Sequence, residues 1–276
     1  VVNLGERHLA VGIIDHEGNV GVRDRVVTPS RDRLTALTRL VQRVLAATPS
    51  EQRPILCAAT GPGPVDEELG GFAPVGDNDW SGLPIRDSIT EVVGCPTILE
   101  STGRAYALAS SEGSSAIGLH LGDDVDGGVV VGGRLLQGER GSAGAFAHLV
   151  VDVEGRPCVC GKSGCLDSYA SVRGIEATTG RGLVSTPSSL ITQSGMMVAR
   201  ACASLAAMMD IQRIRIGGVV VEAFRETFIE SIRDELAERT RLAHLKNLDV
   251  SVAQLHVLAG ASAVALAADS SRLDIA

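Results

Sequence analysis

The sequence predicts an α/β fold of two lobes that repeat one architecture, with a cleft between them. Three observations support this prediction. The chain has 276 residues, which is enough for two lobes of ordinary size. A β-hairpin pattern occurs at residues 9–27 and again at residues 116–136. Strand and helix patterns alternate after each hairpin, as they do in α/β proteins.

In the first half, two β-rich runs, Leu9–Asp15 and Val20–Val27, flank the turn sequence HEGN. Gly18 in this turn can adopt a positive φ, so the two runs are predicted to form a hairpin. Apolar residues at helical spacing then predict a helix over Arg31–Ala47. The apolar run Ile55–Thr60 is predicted as a buried strand, because the turn sequence GPGP ends it.

The second half opens with a similar hairpin, formed by Ala116–Leu121 and Gly128–Leu136. The elements predicted after it are a helix at Met197–Met209, a strand at Arg213–Val221, a helix at Ala223–His244, a strand at Val250–Val257 and a helix at Gly260–Ala268. We therefore assign residues 1–104 to a small N-terminal lobe, on which the last helix, residues 260–276, packs back. Residues 105–259 are assigned to a larger C-terminal lobe.

The composition excludes several classes of protein. Acidic residues outnumber basic ones by 33 to 25 and the net charge is −8, so the chain by itself offers no basic surface for nucleic acid. No apolar run reaches the ~18 residues of a membrane span, and no signal peptide is visible. The apolar surroundings of Cys57, Cys95 and Cys202 indicate buried free thiols, which favours a cytoplasmic location without membrane contact.

The other three cysteines, Cys158, Cys160 and Cys165, lie close together, and His148 precedes them. Glycines between the cysteines allow a short loop to curl so that the three sulfurs point inward. Three thiolates and one imidazole complete a tetrahedral structural zinc site. A disulfide is the alternative, although three cysteines leave one without a partner, and the Cys-x-x-Cys spacing of a redox pair is absent. We therefore predict a structural Zn²⁺ bound by these four residues.

Several stretches in one order along nearly the whole chain carry a family resemblance, beginning with CVCGKSGCLDSYAS, which follows His148. The further stretches are GPGPVD at 61–66, DWSGLP at 79–84, GGRLLQGERGSAGAFAH at 132–148, IGGVVV at 216–221 and LAGASAVALA at 258–267. Together they resemble the ROK family of repressors, open reading frames and sugar kinases, and CVCGKSGCLDSYAS is similar to the zinc signature of that family. The resemblance implies the two-lobed actin/hexokinase-like fold, a duplicated ribonuclease H-like architecture with an interlobe cleft.

Sugar kinases of this family hold ATP between two glycine-rich loops, and the resemblance places both loops in this chain with altered residues. The first loop aligns with Asn3, Gly5, Glu6 and Arg7, and the second with Gly122, Asp123, Asp124 and Asp126. Asn3 lacks the carboxylate associated with the metal, and Glu6 replaces a glycine that lets phosphate approach the backbone. A loop carboxylate that lies ~4 Å from a phosphate charge of ATP would weaken binding by about 1 kcal/mol in water and by about 4 kcal/mol near a protein surface. We therefore predict that ATP and Mg²⁺ are not cofactors.

A calcium site is a second interpretation of the three aspartates in the second loop. The spacing of an EF-hand and its glutamate at the twelfth position are missing, because Leu135 stands there when Asp124 is counted as the first position. A solvated turn is the simpler interpretation.

The catalytic aspartate of the family, which acts as general base on the sugar hydroxyl, aligns with Thr102. A threonine hydroxyl is not a base near neutral pH, and losing a positioned base removes a factor of about 10²–10⁴ in rate. The main sugar-binding glutamate aligns with Ala145, and the glutamate after the last cysteine aligns with Asp167. The residues that the resemblance assigns to the effector or sugar cleft are Asn78, Ser101, Thr102, Ala145, His148 and Asp167.

These losses predict that the chain is not an enzyme. We predict the effector-binding and oligomerisation domain of a ROK-type transcriptional regulator, in which a winged helix-turn-helix domain precedes Val1 and contacts DNA. The expected partners are a sugar or sugar derivative as effector and further copies of the chain, in a homodimer or homotetramer. One alternative is an active sugar kinase of the glucokinase or N-acetylmannosamine kinase type, in which Glu100 or Asp124 replaces the base. Another is a pseudokinase that acts through protein contacts without DNA.

Overall fold

The chain forms two compact units in the computed structural model, which describes residues 1–76, 79–239, 242 and 245–273. Unit 1 consists of Val1–Ala105, Glu139–Ser142 and the chain from Leu255 onward. Unit 2 consists of Tyr106–Gly138 and Ala143–Gln254. Each unit contains a five-stranded sheet with helices packed on it, which confirms the predicted α/β class.

The sheet of unit 1 mixes antiparallel and parallel strands. Its strands are β1 (Val2–Leu4), β2 (His8–Ile14), β3 (Val20–Val27), β4 (Cys57–Gly61) and β7 (Thr97–Ser101), and a separate small pair is formed by β5 (Val65–Asp66) and β6 (Gly71–Phe72). The strand order is β3-β2-β1-β4-β7, with β1, β4 and β7 parallel and β2 antiparallel to both of its neighbours. The β2–β3 hairpin is the one that the sequence predicts, and Gly18 in its turn has a φ of 87°.

Helices cover this sheet and enclose an aliphatic core. They are α1 (Arg33–Ala46), α2 (Ile85–Val93), the first residues of α3 (Thr102–Ser110), and α8 (Ala259–Leu273), which packs against β4 and β7. The core also contains Trp80, whose side chain is completely buried. The guanidinium of Arg33 lies 5.2 Å from the centroid of the Trp80 ring, which is a cation–π contact.

Unit 2 has a sheet of the same size with two long helices. Its strands are β8 (Ala116–Leu121), β9 (Val125–Val131), β10 (Arg134–Leu135), β11 (Arg213–Gly217) and β12 (Asp249–Val252), in the order β10-β9-β8-β11-β12. Its helices are α4 (Asp167–Ala170), α5 (Val172–Thr179), α6 (Ser188–Met209) and α7 (Val219–Arg239). The two long helices, α6 and α7, pack on each other and on β11.

The start of α7 corrects the sequence prediction. Three consecutive valines at 219–221 favour a strand, so the sequence predicts that β11 continues through Val221. In the structure Gly218, with a φ of 104°, ends the strand, and Glu222 N donates to Gly218 O at 3.2 Å in the first turn of the helix. Val220 and Val221 are buried there, and tertiary burial outweighs their strand propensity.

Two further observations concern the helices. The predicted helix at 223–244 is described as far as Arg239, and residues 240, 241, 243 and 244 lie outside the described residues. Among the residues that the structure describes, no helix combines the length and the apolar character needed to cross a bilayer.

Candidate active site and metal centre

The four residues predicted as zinc ligands lie together in unit 2. The nitrogen of His148 and the Sγ atoms of Cys158, Cys160 and Cys165 are all within 4.8 Å of one another. His148 Nδ1 lies 3.6 Å from Cys158 Sγ, and Cys160 Sγ lies 3.7 Å from Cys165 Sγ. Two sulfurs bound tetrahedrally at ~2.3 Å from a zinc ion are roughly 3.8 Å apart. The cluster therefore has the donor types and the spacing of a Cys₃His metal site.

Residues 148–165, which we call the metal loop, are held by their own backbone. Cys158 N donates to Lys162 O at 2.7 Å, and Gly161 N donates to Cys158 O at 2.9 Å. Gly164 has a φ of 77°, and a Cβ at this position would lie 1.6 Å from Asp152 O. No side chain fits there, so this glycine is required for the turn that brings Cys165 to the other ligands.

An aromatic contact supports the metal loop from α4. Tyr169 OH donates to Asp152 Oδ2 at 2.8 Å and accepts from Arg156 N at 3.0 Å. The guanidinium of Arg156 also lies 4.5 Å from the centroid of the Tyr169 ring. Because Tyr169 is 1% exposed, these contacts fix the loop against the core of unit 2.

The thiols differ in acidity. Burial, followed by contacts with the neighbouring thiols, raises the pKa of Cys165 to about 12. A backbone hydrogen bond from Lys162 lowers the pKa of Cys160. A metal ion binds thiolates, so it must displace the proton of Cys165 when it enters, and its affinity falls as the pH falls.

The first loop that the resemblance assigns to phosphate forms the β1–β2 turn of unit 1. Asn3 Oδ1 accepts from Thr60 Oγ1 at 3.0 Å, so its amide is tied to β4. Gly5 O accepts from Thr28 Oγ1 at 2.7 Å, and Arg7 O accepts from Thr28 N at 3.0 Å. The turn is therefore anchored to the strands on either side of it.

The carboxylate of this turn is already paired with a cation. Glu6 Oε2 lies 3.3 Å from Arg33 NH1, and Arg33 NH2 lies 2.8 Å from Asp79 Oδ2. The Arg33 side chain is only 11% exposed, so the charge of Glu6 is neutralised at short range. The repulsion of phosphate that the sequence predicts from Glu6 is thereby reduced.

Thr102, which the resemblance aligns with the family's catalytic aspartate, lies at the junction of β7 and α3. Thr102 is the first residue of the helix, and its Oγ1 donates to Gly61 O at 3.0 Å. Two residues earlier, Glu100 forms a buried ion pair with Arg104, with Nε to Oε1 at 2.7 Å and NH2 to Oε2 at 3.2 Å. Glu100 is therefore held as a structural anion and does not replace the base.

The second phosphate loop is shorter than the sequence predicts. Leu121 pairs with Val125, so the turn contains only Gly122, Asp123 and Asp124, and Gly122 N donates to Asp124 O at 3.1 Å. Asp126, predicted as part of the loop, lies within β9 opposite His120. The β8–β9 turn, residues 122–124, thus carries two of the three aspartates.

Asp124 lies among like charges. Burial, then the charges of Asp126 and Asp167, raises the pKa of Asp124 to about 7, and Arg173 at 4.0 Å only partly opposes this shift. In the unfolded chain the carboxyl ionises near its ordinary pKa of 3.8. The folded chain therefore holds an extra proton between these two values, and Asp124 lowers the free energy of unfolding as the pH rises from about 4 to about 7.

Replacing Asp124 by asparagine is expected to remove this loss of stability. Because water reaches the side chain, which is 31% exposed, we expect a gain of ~1–2 kcal/mol at pH 8 and no gain at pH 4. Thermal unfolding of Asp124→Asn and of the parent between pH 4 and pH 8 measures the difference. Asp234→Asn, on an exposed position of α7, is the matched control. Equal dependence on pH in the parent and in Asp124→Asn would contradict the prediction.

The remaining cleft residues are divided between the units. Ser101 and Thr102 belong to unit 1, whereas Ala145, His148 and Asp167 belong to unit 2. Asn78 lies outside the described residues. Asp167 is 3% exposed, and its Oδ1 accepts from Val125 N at 2.9 Å. Its carboxylate is thus already engaged with β9.

Three arginines that lie beside these carboxylates were not predicted from the sequence, and the third of them, Arg173, only partly opposes the like charges around Asp124. Arg33 pairs with Glu6, Arg104 pairs with Glu100, and Arg173 lies between Asp124 and Asp167. Even the pair of Glu100 and Arg104, four residues apart, has no helical signal in the sequence, because Glu100 lies in β7 and Arg104 in α3. The other two contacts join segments that are distant in the sequence.

Known proteins resemble the chain over most of its length. It is 26% identical to an N-acetylmannosamine kinase of Salmonella typhi over 267 residues, which is 88% of this chain and 90% of the relative. A ROK hexokinase from Thermus thermophilus superposes with a TM-score of 0.81 and is 27% identical, over 99% of this chain and 98% of that one. A ROK family transcriptional regulator, a homolog of the E. coli MLC protein, superposes with a TM-score of 0.79 at 22% identity, over 97% of this chain and 77% of that one.

These relatives overturn two predictions. The chain was predicted to be a non-enzyme, and specifically the effector module of a transcriptional regulator or a pseudokinase, because Thr102 and Ala145 replace family carboxylates. The N-acetylmannosamine kinase and the hexokinase, at 26% and 27% identity over most of the chain, favour a sugar kinase, so both predictions are wrong. The same two relatives do not support the exclusion of ATP and Mg²⁺. The oligomeric state stays a prediction.

The ROK family profile matches residues 1–269, so the chain belongs to the ROK family.

Proposed function

We propose that this protein is a sugar kinase, which transfers the γ-phosphoryl group of Mg·ATP to a hydroxyl of a hexose or an N-acylated hexosamine. The observation that carries the proposal is the likeness over most of the chain to an N-acetylmannosamine kinase and to a hexokinase. It is the alternative that the sequence analysis kept beside the regulator.

The altered base position lowers the rate without preventing the reaction. In phosphoryl transfer the transition state is loose, so catalysis depends mainly on positioning and on charge stabilisation. A general base adds about 10²–10⁴-fold. With Thr102 at that position, and with Glu100 tied to Arg104, we expect a slow kinase. The pKa of Asp124, about 7, suits a base, but this residue lies on the turn that the resemblance assigns to phosphate.

Two residues of unit 2 support an N-acylated sugar as substrate. Nδ1 of His148 faces Cys158, and among the described residues no hydrogen bond uses Nε2, which leaves this nitrogen for a sugar hydroxyl. Ala145 presents a methyl group where the family has a hydroxyl-binding glutamate. An acyl methyl group fits such a position better than a free hydroxyl, which would lose its partner there.

We further propose that the Cys₃His cluster binds zinc as a structural ion. Thiolate and imidazole donors suit zinc, and four protein ligands leave no open position for substrate. When bound, the ion supplies charge that holds the three thiolates together. The chain's own contribution is to orient His148, because Nδ1 directed at the ion leaves Nε2 on the opposite side of the ring.

The proposal is tested by ADP release from purified protein with Mg·ATP and, in turn, glucose, N-acetylglucosamine and N-acetylmannosamine. We expect sugar-dependent ADP release that is highest with an N-acetylhexosamine, at a kcat about 10²–10⁴-fold below that of ordinary kinases. Mass spectrometry of the product identifies the sugar phosphate. Reactions without sugar and without Mg²⁺ are the controls. Folded, metal-loaded protein that releases no ADP above the sugar-free control with any of these sugars refutes the proposal.

A further inference from the structure

The β8–β9 turn is held in place by one short segment of unit 2. Val125, the residue after the turn, donates its N–H to Asp167 Oδ1 at 2.9 Å. The carbonyls of the turn are held as well, because Gly122 O accepts from Val172 N at 2.9 Å and Asp123 O accepts from Arg173 N at 3.3 Å. All three bonds come from residues 167–173, which contain α4 and the start of α5.

This segment follows directly on the metal loop. Cys165 forms an isolated bridge with Val150, and Leu166 N donates to Leu149 O at 2.8 Å. Leu166 is completely buried, so the chain cannot shift at this point without opening the core of unit 2. The position of Asp167 is therefore set by a metal ligand two residues before it.

Both the backbone carbonyl and the carboxylate of Asp167 have partners. Its carbonyl accepts from Ser171 Oγ at 2.7 Å, and the same oxygen of Ser171 accepts from Gly174 N at 2.9 Å, which begins α5. Its second carboxylate oxygen lies 3.8 Å from Arg173 NH2. A carboxylate that is 3% exposed must have such partners to stay buried.

We infer that Asp167 is a positioning residue, which transmits the order of the metal loop to the β8–β9 turn. A metal ion held by Cys165 would keep that residue in place, the buried chain at Leu166 places Asp167 next to it, and the Asp167 carboxylate holds Val125 N and with it the turn. The resemblance instead assigns residue 167 to sugar binding. Its link to the turn needs no catalytic activity, and only the kinetic consequence rests on the proposed kinase function.

Hydrogen exchange on the zinc-loaded protein tests the link. Asp167→Ala removes the acceptor of Val125 N, whereas Asp167→Asn keeps an acceptor oxygen and loses only the charge. We expect exchange in a peptide covering residues 121–127 to rise about 10-fold in Asp167→Ala and to stay near the parent value in Asp167→Asn. Zinc content should remain that of the parent in both variants. A peptide covering β4 in unit 1 is the internal control.

Removal of zinc provides the second arm. In the parent, chelation should raise exchange at the turn about 10-fold, and in Asp167→Ala it should add little, because the link is already broken. Full and equal increases in both proteins, or parent-like exchange at the turn in Asp167→Ala, overturn the inference. If Asp167→Ala does not fold, Asp167→Asn and the parent still test whether the turn responds to zinc, and no response in the parent overturns it.

The kinetic arm separates positioning from sugar binding. We expect Asp167→Ala to raise KM for ATP about 10-fold with KM for the sugar near that of the parent. A rise confined to KM for the sugar would show that Asp167 contacts the sugar, and it overturns the inference. Exchange data that support the link in a protein without turnover would refute the kinase function and leave the link intact.

Discussion

Replacing Thr102 by aspartate is expected to raise kcat for sugar phosphorylation by about 10²–10⁴-fold. The substitution places a carboxylate at the position that the resemblance assigns to the family's general base. Thr102 is the first residue of α3, and a negative charge is favourable at the N-terminus of a helix. The carboxylate is therefore expected to be tolerated and ionised at neutral pH. Steady-state kinetics with the sugar that the parent uses best measure the effect.

Asparagine at the same position is the matched control, because Thr102→Asn has nearly the shape of the aspartate variant and no basic group. Thr102 Oγ1 donates to Gly61 O, and the aspartate variant loses this hydrogen bond at a cost of about 1 kcal/mol, whereas asparagine keeps an N–H donor. Thermal unfolding of the two variants measures this difference in stability. An aspartate variant no faster than the asparagine variant contradicts the assignment of residue 102 as the base position.

Loss of the metal is expected to have the second large effect, on stability. Structural zinc sites supply apparent binding free energies of about 10–16 kcal/mol in small domains, and much of this becomes folding free energy. Cys165→Ser removes the buried ligand of the set. We expect bound zinc to fall well below one per chain and Tm to fall by about 10 °C or more. Elemental analysis and calorimetry measure the two quantities.

Cys202→Ala is the control for this substitution, because Cys202 is a buried thiol of the same unit that lies outside the metal loop. It should cost only the packing of one sulfur and leave the zinc content unchanged. A Cys165→Ser protein that keeps its zinc and unfolds at the temperature of the Cys202→Ala protein would contradict a structural role for the cluster.

Sequence reasoning succeeded where the signal is local. The β2–β3 hairpin and strand β8 follow from the pattern of apolar residues and turn residues, which depends only on neighbours in the sequence. The fold class and the family are confirmed. The valines at 219–221 were predicted wrongly because the burial that decides their conformation involves residues far away in the sequence. The length of the β8–β9 turn was also missed, since it depends on the pairing of Leu121 with Val125.

The same limit contributed to the wrong prediction of function. The sequence shows carboxylates at Glu6 and Asp124 and a missing one at residue 102, and each change considered by itself argues against a kinase. It does not show that Arg33 lies beside Glu6 or that Arg173 lies beside Asp124. A charge can be judged only with its partners, and these contacts form only in the folded chain.

The buried Trp80 has a consequence for optical measurements. It is the chain's one tryptophan and lies in unit 1, whereas both tyrosines, Tyr106 and Tyr169, lie in unit 2. Indole emission therefore follows the melting of unit 1, and phenol absorbance follows that of unit 2, where the metal loop lies. The natural sequence thus carries a separate chromophore for each half, and no label is needed to tell which half unfolds first.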